Sequence, residues 1–165
     1  MKRIKLDPEP FPEELLPKKL EENGVFVNRY AEVFFAHPRF STEEAESGVI
    51  AIVSLRELGL ENGGVLAEIR RKMTETGLRP CAANAGVFLR FAWKDQTQSS
   101  NSVLSGTHEA PDQAVMVFSE PLEADDAFPK GLYLRCVDGR LWLRGYVCDD
   151  EYRFPADALF AFEAE

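Results

Sequence analysis

The sequence predicts a single α+β domain with an antiparallel-leaning β-sheet and with helices mainly in the N-terminal half. The chain has 165 residues, which is the usual size of one domain. Residues 65–76 place apolar side chains at the spacing of an amphipathic helix. Residues 131–148 contain two alternating runs that meet at Asp138-Gly139, a dipeptide typical of two-residue β-hairpin turns.

The N-terminal part is predicted to begin with an irregular arm. Residues 1–12 are rich in proline and charge, so no element is expected there. Residues 15–24 fit a short helix, because Gly24 suits the left-handed position after a helix end. Residues 25–36 leave two alternatives open: β-favouring residues at 25–27 and a helix capped by Asn28. We expect mainly the helix, over residues 29–36.

The middle of the chain alternates between apolar runs and polar connections. Residues 49–53 are mostly β-branched and predict a buried strand. The helix over residues 65–76 should end at Gly77. Residues 87–93 are rich in aromatic and β-favouring residues and predict a second strand. Residues 94–113 form a long polar loop, a length that in compact domains is functional or mobile.

Strands are expected to dominate the C-terminal part. Residues 114–119 and 159–162 each predict a short strand. Within the hairpin at 131–148, a two-residue turn fixes the register, so that Arg135 lies opposite Trp142 and Tyr133 lies opposite Arg144. One side of the hairpin is then purely apolar. The other side is called here the hairpin face, and its members are Tyr133, Arg135, Trp142, Arg144 and Tyr146.

Two interpretations of the hairpin face remain open. In the first, its arginines stack on the rings and stiffen the sheet, and the acids at residues 149–151 pair with the arginines. In the second, the face is a binding site, since Arg, Trp and Tyr are enriched among residues that dominate binding energy. Arg90 is expected to join this site from a neighbouring strand, and such arginines can hold a carboxylate or phosphate.

Two stretches of the chain resemble a group of uncharacterised bacterial proteins. The first runs from Leu55-Arg-Glu-Leu-Gly-Leu-Glu-Asn-Gly-Gly to Leu89-Arg90, and the second is the hairpin over residues 131–146. Together they cover about half of the chain and consist mostly of glycines and apolar residues. The resemblance implies a shared fold, and it implies no activity.

Composition and charge exclude several classes of function. The 28 acidic and 19 basic residues give a net charge of −9, which argues against nucleic-acid binding. No apolar run approaches the roughly 20 residues that a membrane span needs. The three cysteines form no metal-binding or disulfide pattern, which predicts a cytoplasmic protein without a bound metal. Cys81 is expected to be a small buried residue rather than a nucleophile.

No phosphate-binding, dinucleotide-binding or hydrolase motif is present in the sequence, so no cofactor is expected. The leading hypothesis is a non-catalytic binding module that uses the hairpin face. Its partner would be another protein, a second copy of this chain or a small anion. The alternative is an enzyme for a small anionic substrate, in which the arginines clamp the substrate and Asp149, Asp150 or Glu151 is the acid or base.

Overall fold

The computed structural model describes residues 1–100 and 112–165. In this part of the chain, a seven-stranded sheet is combined with four α-helices and one 3-10 turn at Glu13–Leu15. The helices are α1 (Leu16–Glu22), α2 (Arg29–Phe35), α3 (Leu66–Glu75) and α4 (Ala85–Ala92). The strands are β1 (Lys2–Leu6), β2 (Val25–Val27), β3 (Gly48–Ser54), β4 (Val115–Val117), β5 (Gly131–Val137), β6 (Arg140–Tyr146) and β7 (Leu159–Ala164).

The strands lie in the order β1-β3-β7-β4-β5-β6-β2. Two neighbouring pairs are parallel, β4 with β7 and β2 with β6, and the other four are antiparallel. The class α+β is therefore confirmed, but the sheet is mixed and not antiparallel-leaning. The parallel pairs join strands that are far apart in sequence, and no local turn signal announces such a pairing.

Apolar side chains cover both faces of the sheet. On one face, α1, α2 and α4 contribute to a core that includes Phe34, Leu89 and Leu143. On the other face, α3 contributes Ile69 and Met73 to a second core. The prediction placed the helices mainly in the N-terminal half, but α4 lies just beyond the middle of the chain, so the helices are not confined to that half. Among the described residues, none of the four helices has the length and apolar character of a membrane span.

The N-terminal arm predicted over residues 1–12 is wrong in its first half. Residues 2–6 form β1, which pairs antiparallel with β3 from Lys2↔Ile52 to Leu6↔Gly48. Both alternatives for residues 25–36 occur in succession, as β2 and α2. Asn28 separates them, and its Oδ1 accepts a hydrogen bond from the Ala31 amide at 2.8 Å, which caps α2.

The strand predicted over residues 87–93 is also wrong, because residues 87–92 belong to α4 and Trp93 is its C-cap. This helix is buried on nearly all sides, from Ala85 to Arg90. The run is rich in aromatic and β-favouring residues, and this residue preference for strands gave the wrong type for a short buried segment. Gly86 allows the close approach, since an added Cβ would lie 3.1 Å from the Leu132 side chain.

The other elements agree with the sequence-based expectations within a few residues. The strand at 49–53 is β3, the helix at 65–76 is α3, and the strands at 114–119 and 159–162 are β4 and β7. Gly77 follows α3 with a φ of 79°, and the Leu78 amide donates to Met73 O at 3.0 Å. This is the predicted helix end.

Candidate functional site

The predicted hairpin register is confirmed. Asp138 and Gly139 have φ values of 50° and 76°, as the turn requires. The pairs Arg135↔Trp142 and Tyr133↔Arg144 lie opposite each other. The apolar side chains of the hairpin enter the core that contains α4, so the hairpin face lies on the opposite side of the sheet.

The inner half of the hairpin face is covered by the protein itself. Arg135 is fully buried and Tyr133 is 7% exposed. Arg135 Nε donates to Ser99 Oγ at 2.9 Å. Burial lowers the pKa of Arg135, and the neighbouring Tyr133 and Asp112 oppose that change. Arg135 is therefore enclosed by the protein's own chain, and a binding partner cannot reach its side chain.

Part of this enclosure comes from the start of the predicted polar loop, where Ser99 bonds Arg135. Residues 94–100 form no helix or strand, but they run beside β5. The Ser99 amide donates to Cys136 O at 2.8 Å, and Gln96 Nε2 donates to Leu134 O at 3.1 Å. Gln98 Oε1 accepts a hydrogen bond from the Gly139 amide at 2.9 Å. Residues 101–111 of the predicted loop lie outside the described residues.

The outer half of the hairpin face extends onto β2. Because β2 pairs in parallel with β6, Phe26 lies beside Trp142, with ring centroids 5.4 Å apart. Arg140 lies over the Phe26 ring at 5.3 Å, and Arg144 lies over the Trp142 ring at 5.1 Å. These four residues are called here the edge cluster: Phe26, Arg140, Trp142 and Arg144.

The edge cluster is joined to the buried half of the hairpin face through Arg144. Its Nε donates to Tyr133 Oη at 2.7 Å, and its guanidinium lies 5.9 Å from the Tyr133 ring centre. Tyr133 in turn contacts Tyr146 edge to face at 6.4 Å. Burial raises the pKa of Tyr146 above its ordinary range, so this hydroxyl stays neutral. Arg144 and Trp142 are half-buried and are held in place by these contacts.

Positive charge remains at the rim of the cluster. Arg140 is exposed and forms no ion pair with a carboxylate of the described residues. The acids at residues 149–151 were expected to pair with the arginines, but no such ion pair occurs among the described residues. Asp149 Oδ1 instead accepts the amides of Glu151 and Tyr152 at 2.9 and 2.8 Å. That bonding closes a local turn after β6. A cation stacked on a ring can still receive an anion from a partner.

Arg90 does not join the hairpin face. It lies on α4, at the opposite side of the sheet, and is fully buried. Its Nη1 donates to Gln96 Oε1 at 2.7 Å and to Trp142 O at 3.3 Å, and its Nη2 donates to Trp93 O. Arg90 thus connects α4, the start of the polar segment and β6. It contributes to the fold and is not accessible to a ligand.

A small cavity lies beside Cys81, the residue that was expected to be buried rather than to act as a nucleophile. Its volume is about 230 Å³, and Cys81, Asn84 and Glu163 are among its lining residues. Cys81 Sγ donates to Ala161 O at 3.5 Å, so the thiol is held protonated. His37, one of the two histidines, instead bonds Glu123 at 2.6 Å. No histidine of the described residues lines this cavity, and burial together with the nearby Glu163 carboxylate raises the pKa of the Cys81 thiol.

The thiols should react slowly in the folded protein. Burial raises the pKa of Cys148 to about 11, and burial raises the pKa of Cys81 above its ordinary range. Thiolates are the reactive form, so an aromatic disulfide reagent at about pH 8 should label folded protein slowly and all three cysteines after denaturation. Absorbance of the released thiol, with peptide mapping, measures this. Rapid labelling of Cys81 in folded protein would contradict the expectation.

The sequence-based prediction of the hairpin face did not include two members of the edge cluster, Arg140 and Phe26. Arg140 could have been found, because strand alternation places it on the same side as Trp142 and Arg144. The sequence carried no signal that would place Phe26 in this cluster, since only the parallel pairing of β2 with β6 brings it there.

The described residues contain no group of three His, Cys, Asp or Glu side chains that could hold a metal ion. No family model, curated protein or solved structure matches the chain.

Proposed function

We propose that this protein is a non-catalytic binding module and that the edge cluster is its recognition surface. The observation that carries the proposal is the stack Arg140–Phe26–Trp142–Arg144 at the outer edge of the sheet. Phe26 is 44% exposed, so a partner can reach part of its ring. The stack holds rings and guanidinium groups in fixed positions before a partner arrives, so little side-chain entropy is lost on binding.

The chemistry of the cluster favours an acidic segment of a partner protein. Arg140 can donate two parallel hydrogen bonds to a carboxylate, and Phe26 and Trp142 offer apolar area beside it. A small anion is a weaker fit, because small ligands are generally held in concave sites and this surface lies open at the rim. The enzyme alternative has less support. The Asp149 carboxylate accepts hydrogen bonds within a local turn, and no contact among the described residues brings residues 149–151 to the arginines.

Binding can be tested by NMR with the two tryptophan indoles as probes. The peptide would be extended, about ten residues long, with Glu at alternate positions and one Phe. We expect the Trp142 indole signal to shift during titration and the buried Trp93 signal to stay constant, with assignments from Trp142→Phe. Arg140→Gln should weaken binding by about tenfold or more, the loss of one charge-assisted contact.

The matched control is Arg71→Gln on α3, which removes the same charge from an exposed position outside the cluster. It should leave affinity within about twofold, as expected for a distant surface charge. A Trp142 signal that does not respond, or equal weakening by both substitutions, would show that the cluster is not a recognition surface. Unchanged melting temperatures of both variants would confirm that folding is intact.

A further inference from the structure

A second surface lies on the other side of β2. An apolar groove of about 690 Å³ opens between α1 and α2 with β2 at its base. Its volume is within the range of about 300–1,000 Å³ that is common for binding sites. Apolar lining residues come from both helices, the strand and the segment after α2; among them are Leu16, Leu20, Val25, Phe26, Phe35 and Phe40.

The groove adjoins the edge cluster at Phe26 and lies mostly on the opposite side of β2. Val25 and Val27 pack toward the core that contains α4, and Phe26 points the other way to Trp142. Strand alternation thus places the two valines and the ring of Phe26 on opposite sides of the strand. β2 is also the last strand of the sheet, so β6 is its strand partner among the described residues. The groove and the edge cluster therefore share Phe26 at the same sheet edge, and Arg140, Trp142 and Arg144 do not line the groove.

Negative charge surrounds the groove. Glu13, Glu21 and Glu32 line it, and all three are exposed. None of them forms an ion pair with a cation of the described residues, whereas the neighbouring Glu22 pairs with Lys18 at 3.9 Å. An apolar floor with three carboxylates around it is complementary to a segment that is apolar on one side and basic at its flanks.

We propose that this groove binds a basic amphipathic helix of a partner protein. Each wall helix has seven residues and is about 10 Å long, which matches the span of side chains i, i+4 and i+7 on a bound helix. Apolar side chains of the partner enter the groove, and its Lys or Arg residues approach the three glutamates. A second copy of this chain fits poorly, because two acidic grooves and two net charges of −9 would repel each other.

The test uses two synthetic peptides that share one apolar pattern. Each is about 18 residues, or five helical turns, with Leu at i, i+3, i+4 and i+7; one carries Lys and the other Glu at the remaining positions. Fluorescence anisotropy at about 150 mM salt reports binding with general charge attraction partly screened. We expect the Lys peptide to bind and the Glu peptide to bind at least about tenfold more weakly.

Substitutions locate the site. The triple variant Glu13→Gln, Glu21→Gln, Glu32→Gln should lower the affinity for the Lys peptide by about tenfold. The control triple Glu43→Gln, Asp150→Asn, Glu151→Gln removes the same charge elsewhere and should change affinity by less than about twofold.

A single substitution fills the groove without touching the core. Ala36 is exposed and lines the groove, so Ala36→Lys supplies both bulk and a cation there. It should reduce binding of the Lys peptide by at least about tenfold, and Ala124→Lys, at an exposed loop position, should not. Melting temperatures check that each variant is folded.

Several results would overturn the proposal. No binding of the Lys peptide, equal binding of the Glu peptide, or equal weakening by the two triple variants would each do so. A dimer in sedimentation that Ala36→Lys converts to a monomer would assign the groove to a second copy instead. Arg140→Gln should leave this peptide's affinity unchanged, so failure here and failure at the edge cluster are distinguishable.

Discussion

Replacing Gly145 by valine should destabilise the protein by about 3 kcal/mol or more, and Gly145→Ala should have a smaller effect of the same sign. An added Cβ would lie 2.6 Å from Tyr30 C and 2.8 Å from the Ala31 amide nitrogen. Both atoms belong to the backbone at the start of α2, so they cannot move aside as a flexible side chain would. The helix itself must shift away from β6.

That shift would break a set of hydrogen bonds around Asn28. Asn28 Oδ1 accepts the amides of Gly145 and Ala31, both at 2.8 Å, and Asn28 Nδ2 donates to Gly145 O at 3.1 Å. One side chain therefore caps α2 and fixes it to β6. Each such bond contributes about 0.5–1.5 kcal/mol.

Thermal and urea unfolding of Gly145→Val measure the effect, which should lower Tm by roughly 6–12 °C. Gly48→Ala is the matched control, because the nearest atom to its added Cβ is 4.0 Å away. That variant should be close to wild type. An unchanged Tm for Gly145→Val would show that α2 can leave β6 without cost, and the groove wall would then be mobile.

The second large effect is expected at Arg90. Arg90→Ala should cost about 3–5 kcal/mol, because it leaves a cavity and removes the donors for Gln96, Trp93 and Trp142. Gln96 would lose its anchor to α4, although its Nε2 still donates to Leu134 O. The segment that covers Arg135 should loosen as a consequence.

Arg90→Met separates volume from charge. Burial lowers the pKa of Arg90 to about 10, which is below the value of an unfolded chain. At neutral pH the guanidinium is charged in both states, and the folded state is penalised for holding that charge; the penalty declines only as pH rises above about 10. Arg90 Nε is buried without an acceptor among the described residues. An apolar side chain of similar length removes this penalty and fills the space.

We therefore expect Arg90→Met to lose less than half of the stability that Arg90→Ala loses, measured by urea unfolding at neutral pH. Equal losses would show that the hydrogen bonds to Gln96 and the two carbonyls matter more than the filled volume. No loss in Arg90→Ala would contradict the assignment of Arg90 to the fold. Hydrogen exchange at the Ser99 amide, which bonds Cys136 O, should rise in Arg90→Ala.

Several parts of the fold could be predicted because their causes are local. Asp138-Gly139 adopts positive φ at both positions, and this turn alone fixes which residues of β5 and β6 face each other. Asn28 and Gly77 mark the beginning of one helix and the end of another by bonds within a few residues. In each case the determining atoms lie close together in the sequence.

The type of α4 and the place of residues 2–6 depended on the tertiary structure. A short, mostly apolar run such as residues 85–92 could be buried as a helix or as a strand, and its contacts with β5 and β6 decide for the helix. Residues 2–6 form a strand only because β3, more than forty residues later, offers an edge. Pairing over such distances leaves no mark in the local residue pattern.

By itself, the sequence determined the two sides of the hairpin, since alternation and one tight turn are sufficient to sort its side chains. Only the tertiary structure decided which of those side chains a partner could reach. Arg135 is buried and bonds Ser99 in the segment at 94–100, and the parallel pairing of β2 brings Phe26 beside Trp142. The physical reason is that exposure depends on which distant segments pack over a surface, and the free energy of that packing is shared by many contacts that no short stretch of residues contains.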